Sequence, residues 1–365
     1  MKKRLSTSPR SNTGAEALFD DYQHWPEYFE EALDMNMDLP RVRNVNRIIF
    51  AGMGGSAVAG DIATDWLSPH VKERLEVVRD YHLPRHIDRR TLVLAISASG
   101  TTEETLNAFH EALSKKIPLA AISSGGLLEE LSHTHQIPFV KVRKLAAPRS
   151  SLPFMFIAAA RIAMELPEAH RRRADIANMI SELRKLRTKV SPRTSASKNP
   201  SKQLAKDLHG SRIAIYASEA LRSPARRFRA SLNENVKTHA LVEVIPECCH
   251  NDLEAWRTDH VQYLPVCLRW KTEPPEVRRR FEAFNGVLST AGVTPREVWV
   301  PGLNTLGRIM SAIYQLDLTT LFLAELSGID PLRTPNIDLL KLELQRTLRY
   351  PRWEKPNFAT TGGDR

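Results

Sequence analysis

Short apolar runs with the look of buried strands alternate with stretches of helical spacing, first over residues 47–143 and again over 211–300. Strands separated by helices pair in parallel through crossovers, so this alternation confines the chain to α/β architecture: two tandem doubly wound parallel sheets flanked by helices. The first series opens with Arg47-Ile-Ile-Phe-Ala-Gly-Met53, and further strands are expected at Leu75–Arg79 and near 92–97, 118–123 and 138–143. The second places strands at Ser211–Ala217, Thr238–Ile245, Val261–Trp270 and Glu297–Val300. Its helices are expected at Ala220–Asn233, 276–291 and Asn304–Ser327, the last stopped by Gly328. An amphipathic helix over Phe19–Leu33 precedes the first series.

The resulting division has a disordered basic arm at 1–16, a first domain at 17–165 and a basic helical linker at 166–208. A second domain follows at 209–345 with C-terminal helices, then a tail at 346–365. The linker is placed on Ser191-Pro-Arg-Thr-Ser-Ala-Ser-Lys-Asn-Pro-Ser201, whose composition suits neither strand nor core helix.

Lys and Arg number 52 against 42 Asp and Glu, a formal charge of +10 with a pI of about 9.6. Such a balance invites nucleic acid, but the excess collects in the arm and in 171–206, so a nucleic-acid partner is not expected and anionic small molecules are. Cys248 and Cys249 are adjacent and Cys267 stands alone, which builds no disulfide framework and points to a reducing cytoplasm. No stretch approaches the ~20 apolar residues of a membrane span, so no membrane partner is expected.

Two strand-to-helix turns carry the first chemical signal. Gly54, Gly55 and Ser56 follow the first strand, and Ser97, Ser99, Gly100, Thr101 and Thr102 follow the strand near 92–97. Glycines and hydroxyls at the carboxyl ends of parallel strands, each leading into a helix, bring backbone N–H groups to one point and suit a phosphate. The alternative is a pair of polar turns with N-caps. A dinucleotide fingerprint fits poorly, because Gly52, Gly54 and Gly55 lack the G-x-G-x-x-G spacing, although Asp80 keeps that reading open. A third loop, Ala147-Pro-Arg-Ser-Ser-Leu-Pro153, holds an arginine between prolines.

Taken together, G-M-G-G-S at Gly52–Ser56, S-x-S-G-x-T at Ser97–Thr102, A-P-R at Ala147–Arg149, N-E-N at Asn233–Asn235, P-E-x-x-H-N at Pro246–Asn251 and P-L-x-T-P-x-I-D-x-L-K at Pro331–Lys341 resemble the bifunctional phosphoglucose/phosphomannose isomerases of archaeal type. The resemblance covers roughly 17–345. It implies tandem sugar-isomerase domains interconverting glucose 6-phosphate, mannose 6-phosphate and fructose 6-phosphate, with no cofactor and no metal. Such a reaction needs an acid–base pair to open the ring, a carboxylate to shuttle a proton through a cis-enediolate, and a cation for the developing charge.

The resemblance puts Glu234 at the shuttle, His250 and Lys341 at ring opening, and Arg149 at the enediolate. Gly54, Gly55, Ser56, Ser97, Ser99, Gly100, Thr101 and Thr102 would hold the 6-phosphate, and Thr334 would leave room around the second carbon for the mannose epimer. It also implies a homodimer in which His250 reaches the partner subunit's site. Without the resemblance, Glu234 is a solvated helix-end glutamate, Arg149 a surface arginine ending a strand, and Lys341 one more helix lysine. A metal held by Cys248, Cys249, His239 and His250 is disfavoured, because adjacent cysteines seldom bind one ion in good geometry. The rival of another class is a non-catalytic sugar-phosphate-binding regulator, which has no need of Glu234, His250, Arg149 and Lys341 together.

Overall fold

The computed structural model describes residues 13–40, 42, 44–257 and 263–347. Residues through Leu332 form one compact unit and those from Arg333 a second. Two parallel sheets organise the first unit. The N-terminal sheet contains β1 (Arg47–Gly52), β2 (Arg74–Val78), β3 (Thr91–Ser97), β4 (Leu119–Ser123) and β5 (Phe139–Lys141) in the order β2-β1-β3-β4-β5. The second contains β6 (Arg212–Ser218), β7 (Ala240–Ile245), β8 (Tyr263–Arg269) and β9 (Arg296–Trp299) in the order β7-β6-β8-β9. The second series repeats the first without a counterpart to β5. Both sheets place the first strand of their series beside the next two, so each has a switch point at the carboxyl end of β1 or β6.

Side-chain alternation sets which face of each sheet is covered. Ile48 and Phe50 point into the large central core while Ile49 and Ala51 face a smaller cluster on the other side of the sheet. Ile213, Ile215 and Ala217 join the same central core, and Ala214 and Tyr216 face the opposite way. Every residue of β3 is buried, as a strand covered on both faces requires.

The helices are α1 (Thr13–Gln23), α2 (Trp25–Asp34), α3 (Gly54–Leu67), α4 (Glu103–Ser114), α5 (Leu127–Thr134), α6 (Leu152–Ala163), α7 (Arg173–Val190), α8 (Pro200–Leu208), α9 (Arg222–Ser231), α10 (Pro275–Thr290) and α11 (Thr305–Ser327). The second unit contributes α12 (Pro335–Thr347).

Four expectations are corrected. The helix expected over 19–33 is two helices, divided at His24, with Pro26 in the first turn of α2, where a missing N–H costs nothing. Thr13–Glu16, expected within the disordered arm, form the first turn of α1. Residues 1–12 and 348–365, the rest of the arm and most of the tail, lie outside the described residues. The basic segment at 191–201 is packed at its end: Asn199 and Ser201 are buried, and the Asn199 side chain accepts from the Lys202 N–H to cap α8.

The fourth correction concerns α11. By length and mean hydropathy (1.2) it is long and apolar enough to cross a membrane, contrary to the expectation that no segment comes close. Its apolar window is 89% buried inside the protein. The helix is apolar on nearly every side because other helices surround it, which is the alternative physical reason for such a composition. The rings of Phe19 and Phe322 meet at a tilt with centroids 4.9 Å apart and Trp25 lies 5.9 Å from Tyr314, so the N-terminal aromatics grip α11 as well as the first sheet's helices.

Candidate active site

Both strand-to-helix turns singled out in the sequence lie at carboxyl ends of neighbouring strands, since β1 and β3 pair in register with Gly52 beside Ile96. Gly52 leaves no space for a side chain: an added Cβ would fall 2.7 Å from the Ile96 carbonyl oxygen. Gly100 has φ of +68° and faces Gly125 so closely that an added Cβ would lie 1.7 Å from the Gly125 oxygen.

The hydroxyls hold the two turns together. Ser56 Oγ accepts from the Ala98 N–H at 3.0 Å. Ser97 Oγ accepts from the Gly100 N–H at 3.0 Å and pairs with Thr102 Oγ1 at 2.9 Å. Ser99 Oγ accepts from the N–H of Thr101 at 3.3 Å and from its hydroxyl at 3.1 Å. Because Thr102 turns toward Ser97, it does not cap its own helix, and neither α4 nor α3 carries a side-chain N-cap bond. Two helix N-termini therefore stand at adjacent strand ends with first-turn N–H groups lacking side-chain acceptors, an arrangement suited to an anion. Ser124, which carries no signal in the sequence beyond its polarity, donates to the Ala98 carbonyl at 2.6 Å and fastens the same loop to β4.

Beside these two turns stands Arg149. It is only 5% exposed, not the surface arginine its sequence position suggests. Its Nε donates to Asn235 Oδ1 at 2.7 Å, one terminal nitrogen to Glu234 Oε2 at 3.0 Å, and the other to the Pro331 carbonyl at 2.6 Å. A Cβ on Gly55 would meet Arg149 Cα at 3.5 Å, so the glycine turn and the arginine are adjacent. Glu234 lies in a widened π turn, Leu232–Val236, continuing α9. In a regular helix neighbouring side chains diverge by about 100°. Here Glu234 and Asn235 both reach one guanidinium, and π turns of this kind gather at functional sites. The Glu234 side chain keeps 30% of its surface exposed, enough to meet a small molecule.

Lys237 closes the turn in a left-handed conformation, φ 58°, and its ammonium donates to the Glu234 carbonyl. Burial first, then the Arg149 cation, hold that ammonium below its ordinary pKa.

Behind Arg149 is a fully buried ion pair that reading the sequence alone missed. Arg227 donates to Asp317 at 2.9 Å and to the Arg149 carbonyl at 2.7 Å. Tyr22 and Ser231 also donate to Asp317, at 2.8 and 2.6 Å. A lone aspartate inside the apolar run of α11 was the available signal, since a buried charge demands a partner.

His250 ends a short 3-10 turn, Glu247–His250, is exposed, and its side chain makes no hydrogen bond or ion pair with the described residues. The Tyr216 hydroxyl donates to Asp252 at 2.5 Å, and Trp256 Nε1 donates to the same hydroxyl at 3.0 Å, anchoring the chain just after the histidine. Thus the structure brings Gly54, Gly55, Ser56 and the 97–102 loop to Arg149 and Glu234, whereas His250 stands exposed after β7 with no hydrogen bond to any of them. Thr334 and Lys341 belong to the second unit, where the Thr334 carbonyl accepts from the Asp338 N–H at 3.1 Å and Lys341 lies on α12.

Residues 197–344 match the model of the bacterial phospho-glucose isomerase C-terminal SIS domain. A bifunctional phosphoglucose/phosphomannose isomerase of Aquifex aeolicus is 30% identical over 306 residues, 82% of this chain and 90% of its own. The chain belongs to the bifunctional phosphoglucose/phosphomannose isomerase family. Membership in this isomerase family makes the protein an enzyme. Within the wider similarity is a D-glucosamine-6-phosphate 4-epimerase of Sulfolobus acidocaldarius, 27% identical over 68% of this chain and 76% of its own. Among solved structures, a hypothetical protein from Thermus thermophilus superposes with a TM-score of 0.68 over 93% of this chain and 91% of its own, at 17% identity. That likeness concerns the fold: two parallel sheets with flanking helices, as the family resemblance in the sequence implied.

Proposed function

We propose that the protein interconverts glucose 6-phosphate and fructose 6-phosphate, and mannose 6-phosphate and fructose 6-phosphate, without a metal. The observation that carries the proposal is the Arg149–Glu234 pair at 3.0 Å beside the hydroxyl loops. A carboxylate and a guanidinium at that spacing are what proton transfer between neighbouring carbons requires: Glu234 removes the proton from carbon 2 and returns it to carbon 1, and Arg149 stabilises the enediolate oxygens. Ser56, Ser97, Ser99, Thr101 and Thr102, with the backbone N–H groups about Gly54, Gly55 and Gly100, hold the 6-phosphate, so the reacting carbons sit at the far end of the sugar.

His250 and Lys341 serve ring opening, and Thr334 leaves space for either epimer. The exposure of His250 supports its delivery to the partner's site in a homodimer, and the residues 17–165 and 209–345 are the two sugar-isomerase domains of each subunit. The enzyme acts in the cytoplasm.

Coupled assays with each aldose phosphate, run with excess chelator, test the reaction. Turnover persists under chelation, glucosamine 6-phosphate serves as the control for 4-epimerase chemistry, and Glu234→Gln lowers kcat by on the order of 10^3-fold or more, as loss of a proton shuttle does. Near-normal kcat in Glu234→Gln removes the glutamate from the shuttle. Binding of sugar phosphate with no turnover by the unaltered protein favours the regulator instead.

A further inference from the structure

Asn235, the last residue of the Asn-Glu-Asn run, is fully buried against Arg149. Its side-chain oxygen accepts from Arg149 Nε at 2.7 Å, and its amide nitrogen donates to Thr320 Oγ1 at 2.7 Å. Thr320 Oγ1 in turn donates to the Asp317 carbonyl on α11, also at 2.7 Å.

The direction of this chain is set at its far end. A carbonyl only accepts, so the single hydroxyl proton of Thr320 is committed to Asp317, and the Thr320 oxygen is left to accept from Asn235. The Asn235 oxygen must then face Arg149, whose guanidinium has donors only. Reversing the amide would set donor against donor at Arg149 and leave Thr320 without a donor.

Three of the five guanidinium N–H groups are engaged, one each by Asn235, Glu234 and Pro331, which leaves one N–H on each terminal nitrogen. Asn235 is a neutral acceptor. It fixes the guanidinium in place and in plane without neutralising the charge that an enediolate needs.

We infer that Asn235, oriented by Thr320, is a positioning residue that holds Arg149 for the enediolate and acts only through that arginine. The inference rests on the isomerase reading above. It is distinct from the role of Glu234, because Asn235 has no exposed atom with which to meet substrate.

The test is a double-mutant cycle between Asn235→Leu and Arg149→Lys, with Asn235→Asp and Thr320→Val as companions. Asn235→Leu lowers kcat by on the order of 100-fold, since a catalytic cation displaced by about 1 Å loses that order of rate. KM for the sugar phosphates stays within about two-fold, because the phosphate is gripped elsewhere. Thr320→Val lowers kcat in the same sense but less, and Asn235→Asp lowers it by about ten-fold or more by adding a carboxylate that neutralises Arg149. In the Arg149→Lys background, Asn235→Leu causes no further loss.

A second readout needs no turnover: calorimetric affinity for a phosphorylated five-carbon hydroxamate, an enediolate analogue, falls in the same non-additive way. An unaltered protein that binds the analogue but converts no hexose phosphate overturns the reaction, and the binding cycle still decides the role of Asn235. Additive losses at 235 and 149, or an Asn235→Leu protein with lowered Tm but normal kcat and analogue affinity, overturn the inference. Should Asn235→Leu fail to fold, the cycle between Thr320→Val and Arg149→Lys decides the question by the same criterion of non-additivity.

Discussion

Arg149 shows how much a single position conceals. Between two prolines at the end of a strand it reads as a surface arginine, yet it is 5% exposed and held by three acceptors from two distant parts of the chain. Nothing within a few residues of Arg149 announces that burial, because the groups that satisfy it come from Glu234, Asn235 and Pro331. Gly100 is the opposite case, since a glycine among hydroxyls after a strand already signals a left-handed turn. The structure adds the second constraint, Gly125 pressed against it. Gly100→Ala therefore must move the loop as well as adopt a φ that costs about 1–3 kcal/mol. The expected outcome is a rise in KM for sugar phosphates of about ten-fold or more, equivalent to about 1.4 kcal/mol of lost binding. Steady-state kinetics check it, and an unchanged KM would remove the 97–102 loop from the phosphate site.

Among the elements, α9 and α11 carry the most information that periodicity alone does not. The expected helix over 220–233 becomes a short 3-10 turn at Glu219–Leu221, then α9, then the π turn holding Glu234 and Asn235. An apolar period locates a helix but does not report a local change in its pitch. The 23-residue α11 was legible as a helix from Asn304 to Gly328, and the structure places Asn304 as N-cap and Gly328 as the left-handed C-cap. Its buried Asp317 joins Arg227, Tyr22 and Ser231. Removing one partner of such a pair leaves an uncompensated buried charge, so Asp317→Ala lowers unfolding free energy by about 3–5 kcal/mol. Denaturant unfolding measures this directly. Loss of activity should accompany it even below the melting range, because Arg227 also holds the Arg149 carbonyl. A variant with native stability would show that the pair contributes nothing net.

For the assembled molecule, the proposed homodimer makes a testable claim, that His250 of one subunit serves Glu234 of the other. Mixing equal amounts of His250→Ala and Glu234→Gln proteins after dissociation tests it. If the histidine acts in the partner's site, half the dimers are mixed and each mixed dimer keeps one intact site, so about one quarter of normal activity returns. If it acts within its own chain, every site carries a lesion and activity stays at the level of the separate variants.

The alternation of strands and helices was readable from residues 47–143 and 211–300 because a strand covered on both faces needs only a local apolar run to declare itself. The glycine and hydroxyl turns were readable for a similar reason: Gly52, Gly100 and their neighbours meet constraints imposed by adjacent strands at known ends. The surroundings of Arg149 were not. Its acceptors lie 85, 86 and 182 residues away in the chain, and the Arg227–Asp317 pair spans 90. Contacts of that range depend on two sheets and α11 packing into one core, so charge burial, amide orientation and the spacing of cation to carboxylate exist only once that packing is complete.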